Sequence, residues 1–404
     1  MTQDVVVTGI GLVTPAGVGV DATWKRVCEG EPTAVHVPSL AGLEVDFACT
    51  VTGYDPESVI DARRAWRMDR CTQFAITAAV EALGDARLES SGWNSARVGV
   101  VLGGTVGGTL TLEEQHRRLL EGRNVSPMFL PASLVNMSAG EVARHIGARG
   151  PNLVTSAACA SGAMAVGIAR LLLAADTCDI VVAGGTEACV TPLYISGFAR
   201  MGALSRRREE PAAASRPFDA DRDGFVMGEG AGVLVLEQGR HARARGAPVR
   251  AALAGFAATD DAYHPAAPDP SGSAVESAIR GALRDAGLGA DDVDHVNAHG
   301  TSTPANDRAE ARVLDRVVGR GAAVTSTKGV TGHLLSAAGA VEAALTVLAV
   351  EHQAVPPTAN LHRLDPAVPL DVVQGRPRRQ PVRVALSNSF GFGGQNASLV
   401  VTAP

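Results

Sequence analysis

The amino-acid sequence predicts an α/β fold, in which strands alternate with helices along the whole chain. Short apolar runs typical of buried strands are separated by longer segments whose apolar residues recur at helical spacing. Glycine is abundant, with 45 residues, and apolar runs continue to the C-terminus, so we expect closely packed small-residue helices and not a disordered polymer. Such alternation is typical of largely parallel sheets covered by helices.

The elements follow one another in a regular order. The strand Val5–Val7 runs into a glycine turn, and the motif Gly9-Ile10-Gly11 does not continue into a nucleotide-binding helix because Thr14 and Pro15 follow. Further strands are predicted over 98–102, 180–183, 233–236, 251–256, 293–298, 384–387 and 398–401. Helices are predicted over 70–84, 159–175, 274–286, 306–318 and 338–350.

The chain divides into two α/β halves, residues 1–250 and 251–404. No Pro/Ser-rich linker marks the seam between them, so we expect the halves to pack as one body. The most polar, loop-like segment is 205–224, which interrupts the first half.

Composition and charge exclude several classes of function. The formal net charge is −6, whereas a nucleic-acid-binding protein normally leans basic. The six cysteines form no CxxC pair, and the His and Cys residues lack the short paired spacing of zinc ligands, so we expect neither a disulfide framework nor a metal site. The N-terminus is unlike a signal peptide, and the apolar runs at 171–175 and 343–350 are too short to span a bilayer. We therefore expect a cytoplasmic protein without membrane or nucleic-acid partners.

Cys159 lies in the segment TSAACASG (155–162), where a strand-like stretch meets a helix rich in Ala and Gly. A cysteine at a helix N-terminus is exposed to the helix dipole and to free N–H groups, which favour a thiolate. The same N–H groups would stabilise an oxyanion on a bound thioester. By itself this context also fits a buried structural thiol, the usual state of a free cysteine.

Two histidine motifs give this cysteine a chemical setting. His299 lies in NAHGTSTP, at the C-terminal end of a predicted strand, where α/β proteins place chemistry. Lys328 and His333 lie in STKGVTGH, a Gly/Thr-rich loop before a helix. Near the C-terminus, the glycines of SNSFGFGGQN (387–396) would let the backbone approach a ligand and let the aromatic residues act as a gate.

Together these motifs resemble the elongating β-ketoacyl-ACP synthases (ketosynthases) of the thiolase superfamily. The resemblance runs from VVVTGIGLVTPAG at 5–17 to NSFGFGGQNASLVV at 388–401, and it also covers VAGGTEA, SRPFDADRDGFVMGEGAG, NAHGTSTPANDRAE and STKGVTGHLLSAAGAVEA. It implies a five-layered αβαβα sandwich of two related halves, normally dimeric. It also implies decarboxylative Claisen condensation of an acyl thioester with malonyl-ACP, giving 3-oxoacyl-ACP, CO₂ and free carrier protein, in fatty-acid or type II polyketide chain elongation.

The resemblance assigns a role to the reactive residues. Cys159 would carry the acyl group, and His299 and His333 would bind the malonyl thioester carbonyl and stabilise the enolate formed as CO₂ leaves. Lys328 and Glu342 would hold the histidines in a polar network. The resemblance adds Asp307 to this network as a further polar member. A carbanion formed by decarboxylation needs fixed donors at the enolate oxygen rather than a strong base.

The remaining roles concern the oxyanion and the carrier arm. Backbone N–H groups of Cys159 and Phe392 would form the oxyanion hole, with Phe390 and Gly391 in the gate. Thr301 and Thr303 would contact the phosphopantetheine arm on which acyl carrier protein holds the substrates, and no metal or redox cofactor would be required.

Several positions depart from the common family pattern. Gly329-Val330 replaces the frequent Ser-Met pair, Gln395 replaces Thr or His, and Ala157-Ala158 precede the cysteine where a Thr-Ala type pair is frequent. Val106 falls in the acyl-pocket segment where a bulkier Ile is common, which implies a slightly deeper pocket. These departures fit a specialised enzyme of secondary metabolism as readily as a housekeeping fatty-acid enzyme.

Two other functions remain open at this stage. One is a ketosynthase-fold acyltransferase without decarboxylation, against which the retention of both histidines argues. The other is a structural or chain-length subunit of a ketosynthase heterodimer, against which Cys159 argues. The sequence does not distinguish a homodimer from a heterodimer with a chain-length-factor subunit.

A basic segment precedes the helix predicted at 70. Arg63, Arg64 and Arg67 lie close together, and Arg63 and Arg67 would share a face if the segment is helical. Arg206 belongs to a second cluster. Because the carrier proteins of this family are acidic, these arginines would steer the carrier to the enzyme, the alternative being an ordinary solvated face.

Overall fold

The computed structural model describes residues 4–89 and 92–404. Its strands are β1 (Val5–Thr14), β2 (Gly17–Val18), β3 (Val35–His36), β4 (Phe47–Ala48), β5 (Val98–Gly103), β6 (Asn152–Thr155), β7 (Ile180–Glu187), β8 (Gly230–Gln238), β9 (Ala251–Asp260), β10 (His295–Asn297), β11 (Ala323–Thr325), β12 (Ala354–Val355), β13 (Asp371–Val372), β14 (Arg378–Arg379), β15 (Val384–Gly391) and β16 (Gln395–Thr402).

In chain order the helices are α1 (Val20–Glu29), α2 (Ala62–Ala65), α3 (Arg70–Asp85), α4 (Thr109–Leu120), α5 (Phe129–Ser133), α6 (Met137–Ile146), α7 (Ser161–Ala174), α8 (Pro192–Arg200), α9 (Gly239–Ala244), α10 (Ser273–Ala286), α11 (Pro304–Val317), α12 (Lys328–Thr331) and α13 (Ala338–His352). The five predicted helices are present as α3, α7, α10, α11 and α13 with ends within about two residues of the prediction, and the structure has further helices that were not predicted.

The main sheet contains two sets of strands, one from each half of the chain. Its order is β13-β11-β10-β15-β16-β9-β1-β8-β7-β5-β6, with β2 paired to β1 outside this path. The two sets meet where β1 pairs with β9 through only Val6–Ala252 and Val7–Ala251. The predicted division of the chain near residue 250 thus falls at the strand that opens the second set.

The sheet is mixed, so the prediction of largely parallel strands is wrong for part of it. Pairs β5-β6, β5-β7, β10-β11, β10-β15 and β11-β13 are parallel. The strands nearest the junction, β7-β8-β1-β9-β16-β15, pair antiparallel. For β15 and β16 the physical reason is the short connection, because a parallel crossover needs a dozen or more residues.

Helices cover both sets of strands and also separate them. Helix α3 packs on β1 and β8 with α6 beside it, whereas α10 packs on β9 and β16 with α11 beside it. Helices α7 and α13 pack on each other and contact both sets of strands. The resulting order of layers, αβαβα, is the arrangement that the resemblance implies.

The central helix pair is possible because small residues line its contact. A Cβ on Gly162 of α7 would lie 2.7 Å from the backbone nitrogen of Ala340, and a Cβ on Gly339 of α13 would lie 2.7 Å from that of Ala163. The two backbones therefore touch at positions that only glycine tolerates.

Helix α13 is buried on all sides. Within the described chain, Leu335–His352 is the one 18-residue stretch long and apolar enough to cross a membrane by length and composition, and 89% of it lies buried inside the protein. A helix that is apolar all round is typical of a central layer. The stretch is longer than the apolar run predicted at 343–350.

The polar segment 205–224 is irregular, as predicted, but much of it is not exposed. Arg222 is buried, and its guanidinium lies 3.3 Å from Asp307 and 2.8 Å from Asp365. Asp219 is also buried and accepts hydrogen bonds from the backbone of His362 and Arg363. Buried, paired charges thus fix this segment against the second half of the chain.

Candidate active site

Cys159 lies in the turn between β6 and α7. Ala158 adopts a left-handed conformation with φ of 46°, and the Ser161 hydroxyl accepts from the Ala157 N–H at 2.8 Å and donates to the Ala158 carbonyl at 2.6 Å. This turn ends one residue after Cys159, which is only 9% exposed. The cysteine is therefore held rigidly at the N-terminal end of the central helix.

The expected thiolate is not the resting state of this cysteine. Burial raises the pKa of the Cys159 thiol to about 12, although the Lys328 ammonium and a hydrogen bond from the Phe392 N–H lower it. Desolvation of the charged form outweighs the nearby cation. Burial therefore favours the neutral thiol at pH 7.

His299 follows β10 and is held through its backbone. The N–H groups of His299 and Gly300 donate to the two oxygens of Glu310, each at 2.8 Å. Glu310 lies on α11, is 2% exposed, and burial raises its pKa to about 7. Sequence reasoning missed this residue. Its signal was a carboxylate three positions after Asp307, on the same face of a helix that begins just after the His299 motif.

His333 meets His299 from the other side of the site. Their rings contact edge to face with centroids 5.4 Å apart. The backbone N–H of His333 donates to the Val226 carbonyl at 2.8 Å. Among the described residues, neither ring nitrogen of His333 has a hydrogen-bond partner, nor does Nδ1 of His299. These two residues, called the histidine pair below, therefore keep donor capacity directed into the site.

The histidine pair is uncharged near neutral pH. Burial lowers the pKa of His299 well below its usual range, helped by Lys328 and His333, and burial and Lys328 do the same for His333. A neutral imidazole donates one N–H without adding a buried charge.

Lys328 and Glu342 form an ion pair beneath the histidines. The Lys328 ammonium contacts Oε1 of Glu342, and both side chains are almost completely buried. Burial raises the pKa of Glu342 to about 7, against the lowering effect of Lys328. The ammonium acts on the histidines and on Cys159 through space, which places a positive potential where an enolate or oxyanion would form.

The glycine-rich segment brings Phe392 against the nucleophile. A Cβ on Gly391 would lie 2.3 Å from the Ala157 carbonyl oxygen, so the backbone reaches the cysteine turn only because residue 391 is glycine. Phe390 lies 5.4 Å from the His299 ring and Phe392 lies 6.1 Å from the Phe198 ring. Both aromatic residues are half-buried.

The tip of this hairpin is tied to the segment that follows β9. The Asn396 amide donates to Asp261 at 2.7 Å, the Asp261 N–H donates to the Gly394 carbonyl at 2.8 Å, and the Gly393 N–H donates to the Pro265 carbonyl at 2.8 Å. The structure therefore couples the predicted gate to a loop that sequence reasoning did not identify.

A cavity of about 460 Å³ joins these groups. Its lining includes Cys159, the histidine pair, Thr301, Thr303, Phe390, Gly391 and Phe392. The hydroxyls of Thr301 and Thr303 lie 2.9 Å apart on its wall. The volume lies in the range of small-molecule sites, and the sulfur and both imidazoles line the cavity.

Asp307 and Val106 do not line this cavity, and neither do Lys328, Glu342 and the predicted arginines. Asp307 accepts from the N–H groups of Phe218 and Ser302 and pairs with Arg222, so it stabilises the neighbouring loops and contacts neither histidine. Val106 packs against the apolar cluster that contains Cys159.

The predicted arginines are arranged differently from the expectation. Helix α2 ends at Ala65, so Arg63 and Arg67 do not share a helical face. The segment between Ala65 and the start of α3 at Arg70 is a turn and not a continuation of the helix. Arg63 and Arg67 are exposed, whereas Arg64 pairs with Glu141 at 3.3 Å. Arg206 pairs with Glu44 at 3.2 Å in a separate region.

Comparison with known proteins identifies related sequences over the whole chain. The model of the β-ketoacyl synthase N-terminal domain matches residues 2–242, and that of the C-terminal domain matches residues 250–362. The chain is 45% identical to 3-oxoacyl-[acyl-carrier-protein] synthase 2 of Synechocystis sp. over 404 residues, covering 98% of this chain and 97% of the relative.

Solved structures show the same fold. The ishigamide ketosynthase/chain length factor superposes with a TM-score of 0.93 at 33% identity, and each chain is covered completely. A type II PKS acyl-carrier protein in complex with its ketosynthase, which is bound to the hexaketide, gives a ketosynthase match with a TM-score of 0.91 at 34% identity, again with complete coverage of both chains.

Proposed function

The chain belongs to the β-ketoacyl synthase family, and from this premise we propose that Cys159 and the histidine pair elongate an acyl chain by decarboxylative condensation with malonyl-ACP. The observation that carries this proposal is one cavity lined by a cysteine thiol, two neutral imidazoles and a backbone N–H directed at the sulfur. An acyltransferase without decarboxylation would use the thiol and the N–H but has no need of the histidine pair, and a structural subunit has no need of the thiol.

The first half-reaction is acyl transfer to the cysteine. The Cys159 sulfur attacks the carbonyl carbon of acyl-ACP, the new C–S bond forms as the old one breaks, and the thiol proton leaves with the carrier's pantetheine sulfur. The negative charge that develops on the carbonyl oxygen is stabilised by backbone N–H groups, of which that of Phe392 already points at the sulfur.

The second half-reaction forms the carbon–carbon bond. The histidine pair donates N–H groups to the malonyl thioester oxygen, CO₂ leaves, and the resulting enolate carbon attacks the acyl carbon on Cys159. The C–S bond then breaks, and the sulfur takes up a proton from water, which replaces the proton lost in the first half-reaction. The Lys328 ammonium stabilises the enolate through space, and burial together with this ammonium keeps both imidazoles neutral. These steps need no metal or redox cofactor.

The two half-reactions are tested separately. We expect intact-mass spectrometry to show an acyl adduct on wild-type protein but not on Cys159→Ala, and a product two carbons longer when malonyl-ACP is added. His333→Ala should still be acylated, but its rate of CO₂ release from malonyl-ACP should fall by about 10²- to 10³-fold, as is usual when one oxyanion donor is removed. Absence of an adduct with every acyl donor would contradict the proposal.

The partner of the reaction is an acyl carrier protein in this proposal. The exposed Arg63 and Arg67 supply positive charge, and Trp66 between them is 66% exposed, with the Arg67 guanidinium 5.1 Å from its ring. An exposed tryptophan flanked by arginines is typical of an interface anchor. Arg64 and Arg206 would add charge despite their ion pairs.

Charge reversal tests this surface. We expect Arg63→Glu/Arg67→Glu to raise KM for carrier-bound substrates and to leave KM for free pantetheine substrates unchanged, with Arg320→Glu, an exposed residue outside this segment, as the matched control. Equal effects on both substrate classes would argue for a disturbed fold instead.

A second ketosynthase-type chain is the proposed partner for assembly. Strand β6 ends the sheet, and Leu153 on it is 43% exposed; Leu130 in α5 (60%) and Leu134 just after it (50%) are exposed as well. An unpaired edge with exposed apolar residues is a surface that a partner strand covers. Light scattering should show a dimer that Leu153→Lys dissociates; mass spectrometry of the cellular assembly separates an identical copy from a chain-length-factor subunit. We propose the cytoplasm as the location of this assembly.

A further inference from the structure

The imidazole of His333 depends on its backbone for its position. Within residues 4–89 and 92–404, neither ring nitrogen has a hydrogen-bond partner, so no hydrogen bond orients the ring. The backbone, by contrast, is bonded in both directions: its N–H donates to the Val226 carbonyl at 2.8 Å, and its carbonyl accepts from the Gly228 N–H at 2.9 Å. Residues 226–229, called the clamp segment below, therefore fix where the imidazole enters the site.

The clamp segment is itself bonded on its far side. The Cys49 N–H donates to the Met227 carbonyl at 2.8 Å, and the Glu229 N–H donates to the Cys49 carbonyl at 3.2 Å. The pairing is parallel on both sides of the clamp segment. The segment 49–51, the clamp segment and His333 thus lie side by side, in that order.

A buried ion pair holds this arrangement together. The Glu229 carboxylate, on a residue only 4% exposed, accepts from the Val51 N–H at 3.0 Å and from Nη2 of Arg70 at 2.9 Å. Nε of Arg70 donates to the same carboxylate at 3.1 Å, and Nη2 also donates to the Val51 carbonyl at 2.8 Å. One carboxylate and one guanidinium therefore bind both backbone polar groups of Val51 and fix the outer segment to the clamp segment.

The position of Arg70 is fixed by its own surroundings. It is the first residue of the long helix α3, and its guanidinium lies 4.6 Å from the centre of the Phe74 ring and 5.7 Å from that of Tyr54. The planar fork of an arginine matches a carboxylate at two points, which a lysine cannot do. Arg70 therefore differs from the exposed Arg63 and Arg67: its charge is directed inward and ties the clamp segment to a rigid helix.

We propose that Glu229 and Arg70 are positioning residues for decarboxylation, because they fix the clamp segment that sets the place of His333. This inference rests on the proposed function, in which His333 acts on the malonyl thioester and not on the acyl group. Loss of the ion pair leaves a buried charge or the Val51 N–H without a partner, and the clamp segment moves to relieve it. A displacement of a catalytic group by about 1 Å slows a reaction by up to about 100-fold.

Glu229→Gln and Arg70→Gln test the inference. Each should lower kcat for CO₂ release from malonyl-ACP by about 10- to 100-fold, while KM for malonyl-ACP and the rate of Cys159 acylation stay within about twofold of wild type. Because the effect passes through His333, Glu229→Gln should cause no further loss of CO₂ release in a protein that already carries His333→Ala. Thermal melting shows whether each variant is folded, and Arg70→Gln takes the place of Glu229→Gln in the double variant if the latter unfolds.

A similar ion pair at the other end of α3 supplies the matched control. Asp85, the last residue of this helix, accepts from the Ile10 N–H at 2.8 Å and pairs with Arg250 at 2.8 Å, so Asp85→Asn should leave CO₂ release unchanged. Equal losses in acylation and CO₂ release, unchanged CO₂ release in the folded variants, or a further loss in the His333→Ala background would each overturn the inference. Wild-type protein that releases no CO₂ from malonyl-ACP overturns the proposed function itself.

Discussion

Replacing Glu310 by glutamine should separate the two half-reactions. In the folded protein, the two carboxylate oxygens accept from the N–H groups of His299 and Gly300, each at 2.8 Å, in a fully buried position. Glutamine keeps one acceptor and turns a donor toward the other N–H. Leaving one buried N–H without an acceptor costs about 1–3 kcal/mol.

The expected loss of decarboxylation rate follows from how the protein relieves the unpaired N–H. If the His299 backbone shifts to relieve the unpaired N–H, its imidazole leaves the enolate oxygen, and decarboxylation slows by about 5- to 150-fold. Acylation of Cys159 uses the oxyanion N–H groups and not His299, so its rate should stay within about twofold of wild type.

The assay measures CO₂ release from malonyl-ACP and intact-mass acylation of Cys159 on the same preparations. Asp315→Asn, an exposed position on the same helix, is the control for loss of a negative charge on α11. An equal loss in both half-reactions, or no loss in either, would refute the assignment of Glu310 as a positioning residue for His299.

Three further outcomes are expected. Lys328→Met leaves Glu342 buried without its cation and should lower the free energy of unfolding by about 3–5 kcal/mol in denaturant titrations. An apolar double variant that also carries Glu342→Leu should recover most of this stability but should remain inactive in condensation. A double variant as unstable as Lys328→Met would contradict the role of the ion pair. Gly391→Ala should abolish acylation because its Cβ would lie 2.3 Å from the Ala157 oxygen, whereas Gly84→Ala, with open space around it, should not. The histidine pair has folded pKa values below the unfolded value of 6.5, so its contribution to stability is present above pH 6.5 and is lost as pH falls; the stability difference between wild type and a variant with His333→Asn should shrink by up to about 1.4 kcal/mol per pH unit between pH 6.5 and 5, and a constant difference would refute this.

Local patterns were sufficient to predict most of the elements. The strand before Cys159 and the helix after it follow from apolar runs and small residues, and α10 and α13 begin and end close to the predicted limits. The layer order could not come from periodicity, because it depends on which faces of α7 and α13 meet; only the resemblance to a known family suggested it.

Side-chain environments were harder to predict than elements. Glu310 reads in the sequence as one more charged residue on an amphipathic helix, and only the fold brings its carboxylate against the turn after β10. The state of Cys159 was wrong for a related reason: the helix terminus is visible in the sequence, whereas the desolvation that raises the thiol pKa arises from distant segments packed around it.

The sequence by itself determined the alternation of strands and helices and the motifs that contain Cys159, the histidine pair and the glycine-rich segment, because each depends on residue types within a few positions, whereas the roles of these residues were suggested by the family resemblance. Tertiary structure alone decided which strands pair antiparallel, which carboxylate holds His299, and that Cys159 and the histidine pair line one cavity. These features depend on contacts between segments far apart in the chain, where the free energy of burial and of unpaired polar groups outweighs local preference.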